Sequence, residues 1–576
     1  MTLKKVIAVS FFVALAVKRA NKKRGEKLSM KKITRRSFLQ AVGMTGLAAG
    51  MMSVMSGCGG SSSSTAASGS TAASSEAAAD VDLSKIKDTI HMAVSQEASS
   101  YDVHKTTTLI ARQVFAGTVW EKLVTLNANS EVIPELCSSY EMSDDACTFT
   151  FHLREGVKFH DGSTLSAEDV VASLNRWIDA YSNAAAMVGE GRFEATDDLT
   201  VTITCSAPAL TLPDMMAGAA QPAIITTAAC CTDEDANGYL NQYIGTGPYK
   251  FIEWKQDQYI KLEKFDDYCP YYLEGTTEEK MDGWGGYKHA YTKTIYIDKV
   301  AETATRVAGL QSGDYDVIWG VGSENTPMVE ADPNLTLMSE QAGTLCMVFN
   351  KDPGSIASNN DIRRAVNAVA NCDDLMASAF GTDYDLGSCY MDDLNAYWVT
   401  DAGKENYDLR DADKAKAYLE SAGYNGETFT ILAPTLNNYN NIGLVLQEEL
   451  KSIGMNAELT TVDWATFMEY RKDPSVFDIY ITSFASVPLP SLKAYYGPSY
   501  PGWTTDEKTA ELLEEFNEAT TRDDALAVWK ELQEYSWDYL PCISTGHYHV
   551  AYACSSKVHG LYMGNGIYLW NAYAEA

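Results

Sequence analysis

No stretch of this 576-residue sequence stays apolar for the roughly 20 residues that a helix needs to cross a bilayer. Its two apolar runs, Ile7–Val17 and Ala41–Val54, are 11 and 14 residues long and both fall within the first 57. Positive charge is also scarce, with 45 Lys and Arg against 77 Asp and Glu for a net charge of −32. Twelve of those basic residues and one acid lie in residues 1–57, which leaves 33 against 76, or about −43, for the rest. Such a surface repels nucleic acid and anionic lipid, which excludes a DNA- or RNA-binding role.

Catalytic signatures are missing as well. The chain has no Gly-x-Ser-x-Gly elbow, no His-Glu-x-x-His pair and no Walker A loop. Its twelve cysteines make no tight zinc-like set, and its histidines number eight. His547 and His549 would face one side of a strand, but no Cys or acid lies within three residues of them, so they read as a solvated or hydrogen-bonded face. His160-Asp161 reads as a turn held by Asp–backbone bonds. Gly283-Trp284-Gly285-Gly286-Tyr287 lacks the Lys-Ser/Thr of a phosphate loop and reads as a surface loop packed by its aromatics. The expectation is a protein that is not an enzyme and has no cofactor, no metal and no catalytic residue.

What is present begins with an export signal. Met30-Lys31-Lys32 opens a basic start, Arg35 and Arg36 stand in a twin-arginine pattern, and a short apolar run leads to Met55-Ser56-Gly57-Cys58. The last four resemble a lipobox, in which Cys58 is diacylated and becomes the new N-terminus. Residues 1–57 are thus assigned to the signal, with Met30 as an alternative initiator to Met1. Residues 58–84, nearly all Gly, Ser, Ala and Thr at first, cannot bury a core and suit a flexible tether.

Strand and helix patterns alternate from about Ile86 onward. Thr89–Val94 is a strand candidate, and Phe149, Phe151 and Leu153 alternate with polar residues in another. Ser166 with Asp169 caps a helix whose apolar face is Val170, Val171, Leu174 and Trp177. Strand 294–297, helix 302–311 and strand 316–319 suggest a parallel βαβ unit. Similar alternation continues through strand 345–349, helix 360–370, helix 412–420, strand 429–432, helix 441–452 and strands 456–461 and 476–482. Helices 506–518 and 524–535 and a strand at 548–553 end the chain. Cys137 and Cys147 flank a turn and are either a bridge, as an exported protein permits, or scattered core thiols. The whole reads as α/β and large enough for two lobes.

Five motifs in this order give the chain a family likeness: Phe151-His152-Leu153-Arg154-Glu155-Gly156-Val157-Lys158-Phe159-His160-Asp161-Gly162, Leu165-Ser166-Ala167-Glu168-Asp169-Val170, Gly245-Thr246-Gly247-Pro248-Tyr249, Asp361-Ile362-Arg363-Arg364-Ala365-Val366 and Ala415 to Tyr424. From about residue 88 to its end the chain resembles the extracellular solute-binding proteins of dipeptide, oligopeptide and nickel ABC importers. The resemblance implies a two-lobed, hinge-connected periplasmic-binding-protein-like fold of type II with an additional subdomain. The large lobe would hold residues 85–345 and 485–576, and the smaller lobe 346–484. It implies a lipid-anchored, monomeric receptor on the extracytoplasmic face of the membrane, on the periplasmic side where an outer membrane exists. This receptor hands an oligopeptide or similar small solute to permease subunits, with the ATPases acting indirectly. A chemosensory receptor on the same fold, or a binder of an opine, sugar or metal chelate, is the alternative.

One departure bears on the ligand. Peptide-binding members often carry an Asp-Pro after the second crossing, whose Asp holds the peptide ammonium, whereas the counterpart here, Phe484 to Ser491, contains no acid. A buried ammonium without a counter-charge costs several kcal/mol. Aromatic residues at strand ends are therefore the expected grip: Trp319 and Phe484 sandwiching the solute, with Tyr101 as a third candidate.

Overall fold

The computed structural model describes residues 81–576, apart from Thr107, Ser323 and Asn565. Arg35, Arg36, the alternative start Met30, Cys58 and most of the tether lie outside the described residues.

Ten strands make the principal sheet: β1 (Thr89–Val94), β2 (Tyr249–Lys255), β3 (Tyr259–Lys264), β4 (Thr294–Lys299), β5 (Val317–Trp319), β6 (Leu335–Phe349), β7 (Thr428–Pro434), β8 (Asn456–Val462), β9 (Ile479–Ala485) and β10 (Cys542–Ser555). Their order is β8-β7-β9-β6-β10-β5-β1-β4-β3-β2, with the short strand Tyr384–Asp385 paired to β10 off this path. β1 pairs in parallel with both β4 and β5, so the expected βαβ unit is parallel but has β1 inserted between its two strands. Ile90, Ile295 and Ile297 point into the core of this half, and Ile431, Ile479 and Ile481 into that of the other.

Two long strands join the halves. Leu335–Gln341 of β6 pairs with His549–Ser555 of β10 beside β5, in the larger lobe. Further along, Gly343–Phe349 of β6 lies between β9 and the first half of β10, in the smaller lobe. Register shifts between Gln341 and Gly343 and between Leu345 and Cys346 fall at this crossing, where extra residues bend and twist a ladder. The type II architecture thus rests on β6 and β10 as paired connectors.

Four helices set the geometry around the connectors. α1 (Leu109–Phe115) and α2 (Ala167–Ala180) belong to the larger lobe, and α3 (Leu212–Ala217) runs toward its partner. α4 (Arg522–Tyr539) is 18 residues long. At the start of α2 the expected cap is formed: Ser166 Oγ accepts from the Asp169 amide at 3.4 Å, and the Asp169 carboxylate accepts from the Ser166 amide at 3.1 Å. α2 buries Val170, Leu174 and Trp177 against an antiparallel four-stranded sheet, residues 137–142, 148–153, 200–204 and 193–197 in that order, which is the additional subdomain.

Two corrections follow, the first closing an alternative that the sequence left open. Cys137 opposes Leu153, whereas Cys147 precedes the start of that same strand, so the thiols sit at opposite ends of the hairpin, about 20 Å apart at ~3.3 Å per residue. No bridge can join them. Cys147 instead lies across from Cys205, whose amide donates to the Cys147 carbonyl at 2.8 Å. All eleven cysteines among the described residues are free thiols. The second correction moves the lobe boundary from 484/485 into β10. Residues 486–541 pack with the smaller lobe: the Tyr480 hydroxyl donates to the Pro501 carbonyl, and on α4 the Trp529 and Trp537 indoles donate to the carbonyls of Trp398 and Ser388. The polar and glycine-containing stretches Ser339-Glu340-Gln341 and Ser544-Thr545-Gly546 hid the full lengths of β6 and β10 from pattern reading.

Candidate functional site

The family motifs turn out to be scaffold. Gly245 and Gly247 press on the backbone of residues 118–119: a Cβ on Gly245 would lie 2.0 Å from the Val119 carbonyl oxygen, and one on Gly247 2.4 Å from that of Thr118. His160 clamps the same turn. Its Nδ1 accepts from the Gly245 amide at 3.2 Å and its Nε2 reaches the Gly247 carbonyl at 2.9 Å, which fixes a neutral tautomer with the proton on Nε2. Burial pulls its pKa down to about 4. Arg363 donates to the carbonyls of Ala357, Ser358 and Tyr539, and Arg364 makes two 2.7 Å bonds to the Asp538 carboxylate, so this motif staples residues 357–364 to the end of α4. Gly423, expected to close a helix, has φ 69° directly after one.

Side chains of the two lobes also meet directly. Arg522, at the start of α4, donates to Asp214 of α3 at 2.7 Å while its guanidinium lies 4.1 Å from the ring centre of Tyr397. Burial raises the Asp214 pKa, and Arg522 opposes that shift. Ser130 Oγ donates to the Leu394 carbonyl at 3.0 Å, and Gly218 lies against Pro488. Asp214, Gly218 and Ser130 come from the larger lobe and its subdomain; Arg522, Pro488 and Leu394 come from the smaller one.

At the connectors and the segment after β9, buried polar side chains pair with one another in the smaller lobe. Phe484 of β9, Thr344 of β6 and His547 of β10 are successive cross-strand partners and share a face. Thr344 Oγ1 lies 3.1 Å from His547 Nδ1. Asp392, fully buried, accepts through Oδ1 from Ser486 Oγ at 2.7 Å and Asn395 Nδ2 at 3.1 Å. Ser486 belongs to the acid-free segment after β9, so a carboxylate reaches that place from another part of the chain. Lys493, in the segment that follows Ser486, is likewise buried. Burial lowers the His547 pKa; Asp392 acts to raise it and Lys493 to lower it.

The three aromatic candidates do not assemble. Tyr101 is core: 1% exposed, stacked 4.8 Å from Phe115 and edge-on to Trp254 at 5.0 Å. Trp319 is half-buried against Tyr552, its partner on β10. Phe484 packs on Tyr495 and Tyr500. Tyr552 and the His547 that shares the Phe484 face are five residues apart on an unbulged run of β10, so they project to opposite faces. The expected Trp319–Phe484 sandwich is therefore not made. Sequence reading missed Asp392, Ser486 and Lys493, although Lys493 is the one basic residue in the largely apolar stretch 473–507, which is a legible signal.

Among the described residues no cluster of three or more His, Cys, Asp or Glu could hold a metal ion, and no helix is long and apolar enough to cross a membrane. Residues 131–506 match the model of the bacterial extracellular solute-binding proteins, family 5. The chain belongs to this family. One relative, the "Probable peptide ABC transporter periplasmic-binding protein y4tO" of Sinorhizobium fredii, is 27% identical over 524 residues, 84% of this chain and 93% of its own. The glutathione-binding protein GsiB of Escherichia coli is 27% identical over 392 residues, 66% of this chain and 70% of its own. Among solved structures, the ABC transporter substrate-binding protein CtaP of Listeria monocytogenes superposes with a TM-score of 0.72 at 18% identity, covering 85% of this chain and 100% of that one, a likeness of fold. This family-5 member is thus an extracytoplasmic solute-binding protein of an ABC importer, and it works with permease subunits.

Proposed function

We propose that this family-5 protein is a lipid-anchored capture subunit, held at the membrane by Cys58, that closes its lobes on an oligopeptide or similar small organic solute without chemically altering it. The observation that carries the reading is that the chain passes between the lobes twice, in β6 and β10, and is bulged at the crossing, while contacts such as Asp214–Arg522 join the facing surfaces. A paired two-strand connection can act as a hinge, so a solute that touches both lobes and prefers the closed state shifts the pair toward closure. Relatives named for peptides and for glutathione support a peptide-like solute. Of the aromatic candidates, Phe484 has the placement to wall the solute, since it shares a face with Thr344 and His547.

Cys58→Ala tests the anchor, because no thioether to diacylglycerol can form without the thiol. The variant is expected to lose label from a palmitate analogue and to leave the membrane fraction. Label retained on the variant would overturn the assignment.

A further inference from the structure

Cys147 and Cys205 stand opposite each other one step past the end of a strand ladder. In the subdomain sheet Thr148 pairs with Thr204, and beyond that pair the Cys205 amide donates to the Cys147 carbonyl at 2.8 Å. A second bond, from the Ala209 amide to the Ala146 carbonyl at 2.9 Å, keeps the two segments alongside each other. Directly opposed residues of this hydrogen-bonded kind have Cα atoms about 5.5 Å apart, inside the window of roughly 4.4–6.8 Å that a disulfide spans. Parity puts both side chains on one face of the sheet, that of Phe149, Phe151, Val201 and Ile203, all buried. Cys147 Sγ donates to the Asp145 carbonyl at 3.4 Å, a weak bond that rotation about χ1 breaks at little cost. Among the described residues no other two cysteines are cross-strand partners: Cys137 faces Leu153, Cys346 faces Ser544, Cys542 faces Val348, and Cys554 faces Val317 and Thr336.

We infer that Cys147 and Cys205 close a disulfide when the chain meets a thiol oxidant outside the cytoplasm, where family-5 proteins work and where disulfides form and persist. The oxidant is a second disulfide, carried by an oxidoreductase or a small thiol. Half-buried Cys147 is the entry point, because Cys205 is almost fully covered. Its thiolate attacks one sulfur of the oxidant, which forms a mixed disulfide and expels the first oxidant thiolate. Cys205 then gives its proton to water and attacks Cys147 Sγ, which expels the second. Two protein thiols thus lose two electrons and two protons, and one oxidant disulfide becomes two thiols. Burial raises the pKa of both thiols, Cys205 to about 11, so the exchange is slow at neutral pH. The bridge closes a loop around residues 148–204, which hold three strands of the subdomain sheet and α2. It also fixes the base of the segment 205–211 that leads into α3, whose Asp214 pairs with Arg522 of the facing lobe.

The test uses the reduced mature chain, incubated with oxidised glutathione at mildly alkaline pH, then alkylated in denaturant and digested without reductant. Mass spectrometry is expected to find Cys147 and Cys205 in one linked pair of peptides, about tenfold or more above any other linked pair. Cys205→Ser should instead leave glutathione on Cys147, and Cys147→Ser should leave Cys205 unmodified. The oxidised parent should melt about 2–4 °C above the same protein held in reductant, a difference that Cys205→Ser abolishes. Recovery of both cysteines in alkylated form overturns the bridge. So does glutathione that persists on Cys147 of the parent, since an opposed Cys205 would have expelled it, and so does Cys147 linked to any other cysteine. A linked pair that lowers the melting temperature is a strained bond forced by the oxidant, and it overturns the inference as well.

Discussion

Lowering the pH from 7 to 4 is expected to remove roughly 3 kcal/mol of stability for each of two buried histidines, about 1.4 kcal/mol per unit of pKa depression. Burial brings His160 down to about 4, and His104 likewise to about 4 with Arg176 opposing its charge. Both rings are locked in neutral hydrogen bonding: His160 between Gly245 and Gly247, and His104 between an Arg176 donor at 3.2 Å and the Ile224 carbonyl at 3.0 Å. In the unfolded chain each titrates near the ordinary histidine value of 6.5. The folded state therefore prefers the neutral ring, its stabilisation is complete above about 6.5, and the unfolded state gains protons first as the pH falls. Thermal unfolding of residues 81–576 between pH 7.5 and 4 should show the fall, and His160→Gln should make it shallower. A melting temperature that stays level over this range, or an equal slope in the variant, would contradict it.

Gly247→Ala is expected to cost about 3 kcal/mol or more, at the upper end of what an overpacked interior imposes. Its new methyl would lie 2.4 Å from the Thr118 carbonyl oxygen and 2.9 Å from two backbone carbons, none of which can swing away like a side chain. Nearby bonds depend on the same approach: the Gly247 amide to the Val119 carbonyl at 3.0 Å, and Thr246 Oγ1 to Glu121 at 3.0 Å. Gly423→Ala is the comparison. Nothing lies within 4 Å of its Cβ position, so only the left-handed backbone at φ 69° penalises alanine, by about 1 kcal/mol. Chemical denaturation of both variants checks the difference; a Gly247→Ala cost no larger than that of Gly423→Ala would refute the close-contact argument.

His160 and Gly247 also show how much of the molecule was legible in the sequence. Regular elements with one clean period were readable: Thr89–Val94 and the helix opened by Ser166 appear where the pattern put them. The motifs were readable as a family likeness, but their chemistry is that of a scaffold, since His160, Gly245, Gly247 and Arg363 hold backbone to backbone. The connectors were only half readable because each passes from one lobe's environment into the other's, which changes the burial pattern mid-strand. The site was the least legible part. Asp392 and Ser486 are 94 residues apart in the chain and Thr344 and His547 203, and no local spacing announces that the fold brings each pair together. The aromatic sandwich failed for a matching reason: strand parity on β10 separates Trp319 from Phe484, and parity across two lobes depends on bulges that composition does not reveal.

Closure of the two lobes on a solute about β6 and β10 is measured directly by small-angle X-ray scattering. Protein stripped of solute, then titrated with whichever species it retains from a pool of free amino acids and peptides, is expected to show a radius of gyration that falls as the solute saturates. A radius that stays constant through saturation would contradict closure on the solute.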